Sequence, residues 1–169
     1  MRTMRRNATS IGLISDTHGL LRKEALRALD GSDLIIHAGD VGKPEIIESL
    51  AGIAPVVAVR GNVDTGPWAY AVPETEVVEA GAATIFVLHD LGALDLNPAA
   101  AGFHIVVSGH SHNPARTERE GVLYINPGSA GPRRFQLPVT LARLDLRHTP
   151  WRVDFIDLSV PGSAKSLKK

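Results

Sequence analysis

Three short apolar runs, "SIGLIS" (Ser10–Ser15), "SDLIIHA" (Ser32–Ala38) and "APVVAVR" (Ala54–Arg60), are separated by two segments of helical period. A strand that is apolar on both faces must be covered on both faces. Such strands alternating with helices build βαβ units and a parallel sheet. The first connecting segment, "RKEALRALD" (Arg22–Asp30), is amphipathic. The second, "KPEIIESLAG", has a proline early and Gly52 just past its end, as helix capping predicts. From Glu74 the pattern changes. "TEVVEA", "ATIFVLH", "FHIVVS", "ARTERE", "VLYINPG", "VTLARLDL" and "WRVDFIDL" all read as strands, with one short helix expected over Asn97–Ala101. The predicted architecture is α/β, with two packed mixed β-sheets flanked by helices. No repeat or linker interrupts it. One domain is expected over residues 8–158, with 1–7 and 159–169 as flexible tails.

Composition narrows the functional classes. At 169 residues with 44% apolar and 21% charged content, the chain has the make-up of a globular domain. No apolar run approaches the roughly 20 residues that span a bilayer. The basic start "MRTMRRNATS" leads into "IGLIS", too short for a signal-peptide core. There is no cysteine, which excludes disulfides, thiolate catalysis and cysteine zinc sites, so a cytoplasmic location is expected. Zero net charge gives no indication of nucleic acid or of an anionic membrane as partner. The arginines at 2, 5 and 6 are read as a solvated arm.

The residues that follow the strands are more informative. "IGLIS" leads into Asp16 and His18, "LIIHA" into Asp40, and "VVAVR" into Asn62 and Asp64. "TIFVL" leads into His89, and "HIVVS" into His110 and His112. Sites in open α/β sheets form beyond the carboxyl ends of strands. One such residue is an ordinary turn former. Five strand ends carrying four of the seven histidines are not explained that way. In "SGHSHNP" the two histidines are two positions apart, so strand geometry would converge them on one point. The donors are nitrogen and oxygen without sulfur, which suits Mn, Fe, Zn, Ni or Co. They exceed the needs of one tetrahedral zinc with an open position. They match two ions roughly 3.5–4 Å apart, as in phosphatases and nucleases.

In the order "DTHG", "GD", "GNVD", strand-end His, "GHSH" and "NPGS", the chain resembles the calcineurin-like metallophosphoesterases, and within them the small single-domain bacterial and archaeal phosphodiesterase branch. The resemblance runs from about Ile11 to Gly131. It implies two divalent transition-metal ions, manganese first, with nickel, iron, zinc or cobalt as alternatives. One ion would be held by Asp16, His18, Asp40 and His112, the other by Asp40, Asn62, His89 and His110. Asp40 would bridge them. Asp40, Asn62 and His110 would serve catalysis, with Asn62 also binding substrate. The implied activity is hydrolysis of phosphodiesters or small phosphate esters, with a metal-bridging hydroxide as nucleophile. The alternative is a protein-binding scaffold on the same fold, as in retromer-subunit relatives. Self-association is left open.

Two positions depart from the pattern. Val63 stands where much of the superfamily has a histidine that protonates the leaving group. Asp90 follows the strand-end His where glycine is usual. It reads either as a partner of a metal-binding histidine or, preferentially, as a turn residue. Asp64 has a structural and a functional reading. "NPGS" (Asn126–Ser129) is expected to support the site. Arg133 and Arg134 are read as exposed, His37 as a hydrogen-bonded core histidine, and His104 and His148 as structural or exposed. Trp68 and Tyr70 are assigned to a loop near the site mouth.

Overall fold

The parallel sheet called for by the doubly apolar runs is present. The structure, a computed structural model, describes residues 2–159 and 166–167. Its strands are β1 (Arg2–Arg5), β2 (Ser10–Ile14), β3 (Leu34–His37), β4 (Val56–Ala58), β5 (Thr75–Ala80), β6 (Ala83–Leu88), β7 (Ile105–Val107), β8 (Ala115–Arg119), β9 (Val122–Asn126), β10 (Thr140–Asp145), β11 (Arg152–Asp157) and β12 (Ser166–Leu167). Helices α1 (Lys23–Leu29) and α2 (Pro44–Ala51) follow β2 and β3, and the short α3 (Pro67–Tyr70) follows β4.

The strands form two six-stranded sheets, in the orders β12-β11-β10-β2-β3-β4 and β1-β5-β6-β7-β9-β8. In the first, β2, β3 and β4 are mutually parallel, while β10 runs antiparallel to β2. In the second, β6, β7 and β9 are parallel, flanked by antiparallel β5 and β8. Both sheets are therefore mixed. Alternate residues divide between two apolar layers. Leu34 and Ile36 join Ile85, Val87, Ile105 and Val107 between the sheets. Ile35 faces the other way, with Ala25 and Leu29 of α1 and Ile46 and Leu50 of α2. This is why β3 tolerates no polar alternation. Among the described residues, no helix is long and apolar enough to cross a membrane.

Three local expectations are corrected. Residues 1–7 were expected as a tail, but Arg2–Arg5 forms an edge strand parallel to β5. The arginines that suggest a solvated arm are anchored there: Arg2 and Arg6 both pair with Glu79. In the segment 159–169, Ser166–Leu167 pairs with Phe155 and Ile156 of β11. Residues 160–165, 168 and 169 lie outside the described residues. Asn97–Ala101 is one hydrogen-bonded turn closed by Ala101 N on Asn97 O, not a helix. Gly102 N and Phe103 N then close irregular turns on Ala99 O and Pro98 O, and the chain re-enters the sheet at His104, whose amide bonds Thr84 O, before a regular helix is built.

His37, at the end of β3, is fully buried beneath the loops that follow the strands. Gly39 N donates to its Nδ1 (3.2 Å). Its Nε2 lies 2.9 Å from Thr17 Oγ1, which itself donates to Val41 O. The ring is thus neutral and protonated on Nε2, the core role expected of it. Burial pushes it down to about 3. The unfolded chain accepts a proton near pH 6.5 that the folded chain refuses, so this contribution is complete above pH 6.5 and is lost as pH falls toward 3. In chelator-treated protein, stability should fall by up to about 1.4 kcal/mol per pH unit between pH 6 and 4 on this account. Urea unfolding across that range should give a shallower slope, by up to one proton, for His37→Gln.

Candidate metal centre

All five strand ends converge at one end of the sandwich. Asp16, His18 and His112 form one group whose potential ligand atoms lie within 4.8 Å of one another. Asp40, His89 and His110 form a second group of the same dimensions. The groups abut: His18 Nε2 is 3.7 Å from Asp40 Oδ2, and His89 Nε2 is 4.0 Å from Asp16 Oδ1. Asn62 lies exposed in the turn after β4, next to Val63, whose amide bonds Asp40.

The backbone is strained at these residues. Asp16, His18, Asp40, His110 and His112 all have φ between 47° and 72°. Among the described residues only Glu120 and Phe135 share that conformation without being glycine. A left-handed residue with a Cβ costs roughly 1–2 kcal/mol, and such strain concentrates at functional sites. His110 and His112 therefore do not converge through strand pleating, since β7 ends at Val107. Each is turned individually, and they serve different groups.

Both aspartates are held in the same way. Asp16 Oδ2 accepts from Ser15 Oγ (2.6 Å) and His110 N (3.1 Å). Its Oδ1 is buried without a hydrogen bond and faces His112 Nε2 at 3.3 Å. Asp40 Oδ1 accepts from Val63 N (3.1 Å), and Oδ2 faces His89 Nε2 at 3.2 Å. His89 bonds the Ala38 carbonyl through Nδ1 (2.7 Å), so Nε2 is a buried nitrogen without a hydrogen bond. Each side chain is tied by one atom and presents the other. Buried polar atoms without partners are rare in folded proteins. Here they point at one another across a gap of the size a divalent ion fills, so the donors fit a metal.

Electrostatics agree with this. Burial alone would raise the Asp40 carboxyl, but His89, the Val63 amide and His18 bring it below the usual carboxylate value. Burial would lower His89, yet Asp40 and the Ala38 carbonyl hold it above its ordinary value. His112 is lowered, first by burial, against the pull of Asp16, and further by the neighbouring Arg134 and His18. The pocket thus favours the charged form of the Asp40 carboxyl and of His89, and the neutral form of His112.

Supporting residues lock the loops. Asp64 accepts from Val41 N (3.1 Å), Gly42 N (2.8 Å) and Gly61 N (2.9 Å), stitching the Asp40 loop to the Asn62 loop. Asn126 donates to Gly109 O (2.9 Å) and Ser111 Oγ (3.0 Å), steadying the double-histidine loop. Ser129 Oγ donates to Asp16 O (3.0 Å). A side chain at Gly61 would overlap Asp40, and one at Gly109 would overlap Ser15 and Asp16. Asp64 and the "NPGS" loop thus have structural roles. Ser15 and the Ala38 carbonyl were not foreseen, because a serine before the aspartate and a backbone oxygen carry no signature.

The remaining expectations resolve simply. Asp90 caps a 3-10 turn over Leu91–Ala93, accepting from Gly92 N, as a turn residue does. His104 accepts from Thr84 N and stands edge-on to Trp151. Trp68 packs against the helical layer, while Tyr70 is exposed beneath the Arg60 guanidinium. Arg133 and Arg134 are exposed.

Comparisons with known proteins point the same way. The profile of the calcineurin-like phosphoesterase superfamily domain matches residues 10–149. A probable metallophosphoesterase of Methanocaldococcus jannaschii is 37% identical over 132 residues, 70% of this chain and 67% of that protein. Phosphodiesterase YfcE of Escherichia coli is 29% identical over 161 residues, covering 78% and 84%. Vps29 of Entamoeba histolytica, in a structure complexed with zinc, superposes with a TM-score of 0.76 at 24% identity, covering 94% of this chain and 97% of that one. The profile spans most of the chain and the strand-end donors fall within it, so the chain belongs to the calcineurin-like phosphoesterase superfamily.

Proposed function

We propose that this protein is a dinuclear metal-dependent phosphoesterase acting on phosphodiesters or small phosphate esters. The reading rests on one observation: Asp16 and Asp40 each have one oxygen tied down and the other turned toward imidazole nitrogens of adjoining groups. Asp16, His18 and His112 would hold one ion, and His89, His110 and Asn62 the other, with Asp40 shared. Manganese is the first expectation for both. Two such ions supply Lewis acidity and a water made acidic enough to attack at neutral pH. Asp16 and Asp40 together return about two negative charges against four, so a phosphate is still attracted. Asn62 contributes an oxygen without cancelling more charge. The Ala38 carbonyl fixes the His89 tautomer, leaving Nε2 free. The name of the YfcE relative favours a diester substrate.

Elemental analysis of metal-saturated protein should find two ions per chain, and chelation should abolish hydrolysis. Asp40→Asn should lose both ions together and lower kcat/KM by more than about 100-fold. Metal-replete protein that is inert toward every phosphate ester would favour the scaffold reading.

Val63 sets a second expectation. Its amide serves Asp40, but its exposed side chain cannot donate a proton. Asp90, the other acid near the strand ends, is engaged as a turn cap. A positioned acid contributes about 10²–10⁴-fold when the leaving group is poor. Turnover should therefore fall steeply as leaving-group pKa rises across a series of aryl phosphodiesters. Val63→His should flatten that series. A flat wild-type series with chemistry rate-limiting would reveal an acid not identified among these residues.

A further inference from the structure

The outer face of the second sheet carries an apolar cluster of Phe86, Leu88, Val106 and Val122, with Leu91 and Tyr124 packed against it. Where this cluster reaches the strand ends it opens into a recess of about 210 Å³. Leu91, Ala115 and Tyr124 supply its apolar walls, and His110 forms its edge toward the candidate metal centre. His110 thus belongs both to a donor group and to this wall.

Three features define what would fit. The first is size. Roughly 150 Å³ of apolar space holds one benzene ring, so the recess has room for a ring. The second is polarity. Ser111 Oγ already accepts from Asn126 Nδ2 and Asn113 N. Both ends of the Asn126 amide are engaged too, through Gly109 O and Gly128 N. The polar lining is largely spent within the protein and makes little demand on an occupant. The third is rigidity and charge. The Arg119 guanidinium stands 4.5 Å from the Tyr124 ring centroid and steadies that wall. The Asp90 carboxylate lines the recess and disfavours a second anion.

We propose that the recess between His110 and Tyr124 receives the organic group of the substrate, and that this group is an uncharged ring. This rests on the phosphoesterase reading, and it narrows the substrate class to esters of neutral, ring-bearing alcohols. The phosphate would sit at the donor groups, with the ring packed against Leu91 and Tyr124.

Two phosphonates separate the parts of the claim. Methylphosphonate offers only the anion, whereas phenylphosphonate offers the same anion with a ring. Isothermal titration of zinc-loaded protein should give a phenylphosphonate Kd at least tenfold below that of methylphosphonate. Thr117 lines the recess from the exposed edge strand β8. Thr117→Trp should fill it and bring that ratio close to one. Its circular dichroism and zinc content serve as controls for folding. Tyr124→Ala, which removes a wall, should also shrink the ratio. If methylphosphonate binds and the ring confers no advantage, the recess proposal is overturned while the phosphoesterase reading stands. An advantage untouched by both substitutions overturns it as well. If neither phosphonate binds zinc-loaded protein, the phosphoesterase reading fails and this proposal falls with it.

Discussion

A buried carboxylate oxygen with no hydrogen-bond donor governs this end of the molecule. Asp16 is completely buried, and its Oδ1 has no hydrogen bond. Burying such a group costs several kcal/mol unless something compensates it. Asp40, nearly as buried, likewise has one oxygen bonded to an amide and the other facing an imidazole. Two like charges at close range would repel and drive protonation. Of the imidazoles around them, His89, held above its ordinary value by Asp40 and the Ala38 carbonyl, offsets part of this, as a bound cation would more fully.

Holding those groups in place is the task of the loops. The Asp64 carboxylate accepts three backbone amides from two loops, and Asn126 fixes a third. These are bonds to backbone from buried side chains, which rotate little once made. They allow five residues to sit in left-handed conformations that an unsupported turn would give to glycine. The sandwich beneath is rigid because β2 and β3 are packed on both faces. Strand ends fixed by such packing are what allow separate loops to meet within a few ångströms.

Much of this was legible in the sequence. The apolar runs marked β2, β3 and β4, and each glycine-flanked Asp or His after a strand named a residue that the fold brings together. The rest required three dimensions. The Arg2–Arg5 strand is short and polar, and only its pairing with β5 makes it a strand. The single turn at Asn97–Ala101 carries helix-like residues, but irregular turns follow it before the chain re-enters the sheet at His104. His110 and His112 join different donor groups, but not through the pleat that their spacing suggested. The structure uses backbone strain instead. Ser15 and the Ala38 carbonyl act through distances that no motif encodes.

The tethering of one oxygen on each aspartate has a consequence for ion choice. A calcium ion takes six to eight oxygens and uses carboxylates that open to both sides. Here Oδ2 of Asp16 and Oδ1 of Asp40 accept hydrogen bonds, which turns Oδ1 of Asp16 and Oδ2 of Asp40 toward the histidines and disfavours chelation through both atoms. Beyond two carboxylate oxygens and the Asn62 amide, the candidate donors are imidazole nitrogens. Hard ions that need many oxygens are poorly served, and borderline ions that accept nitrogen are favoured. The hydrogen bonds that position the carboxylates thereby leave few oxygens for a calcium ion and a donor set weighted toward nitrogen.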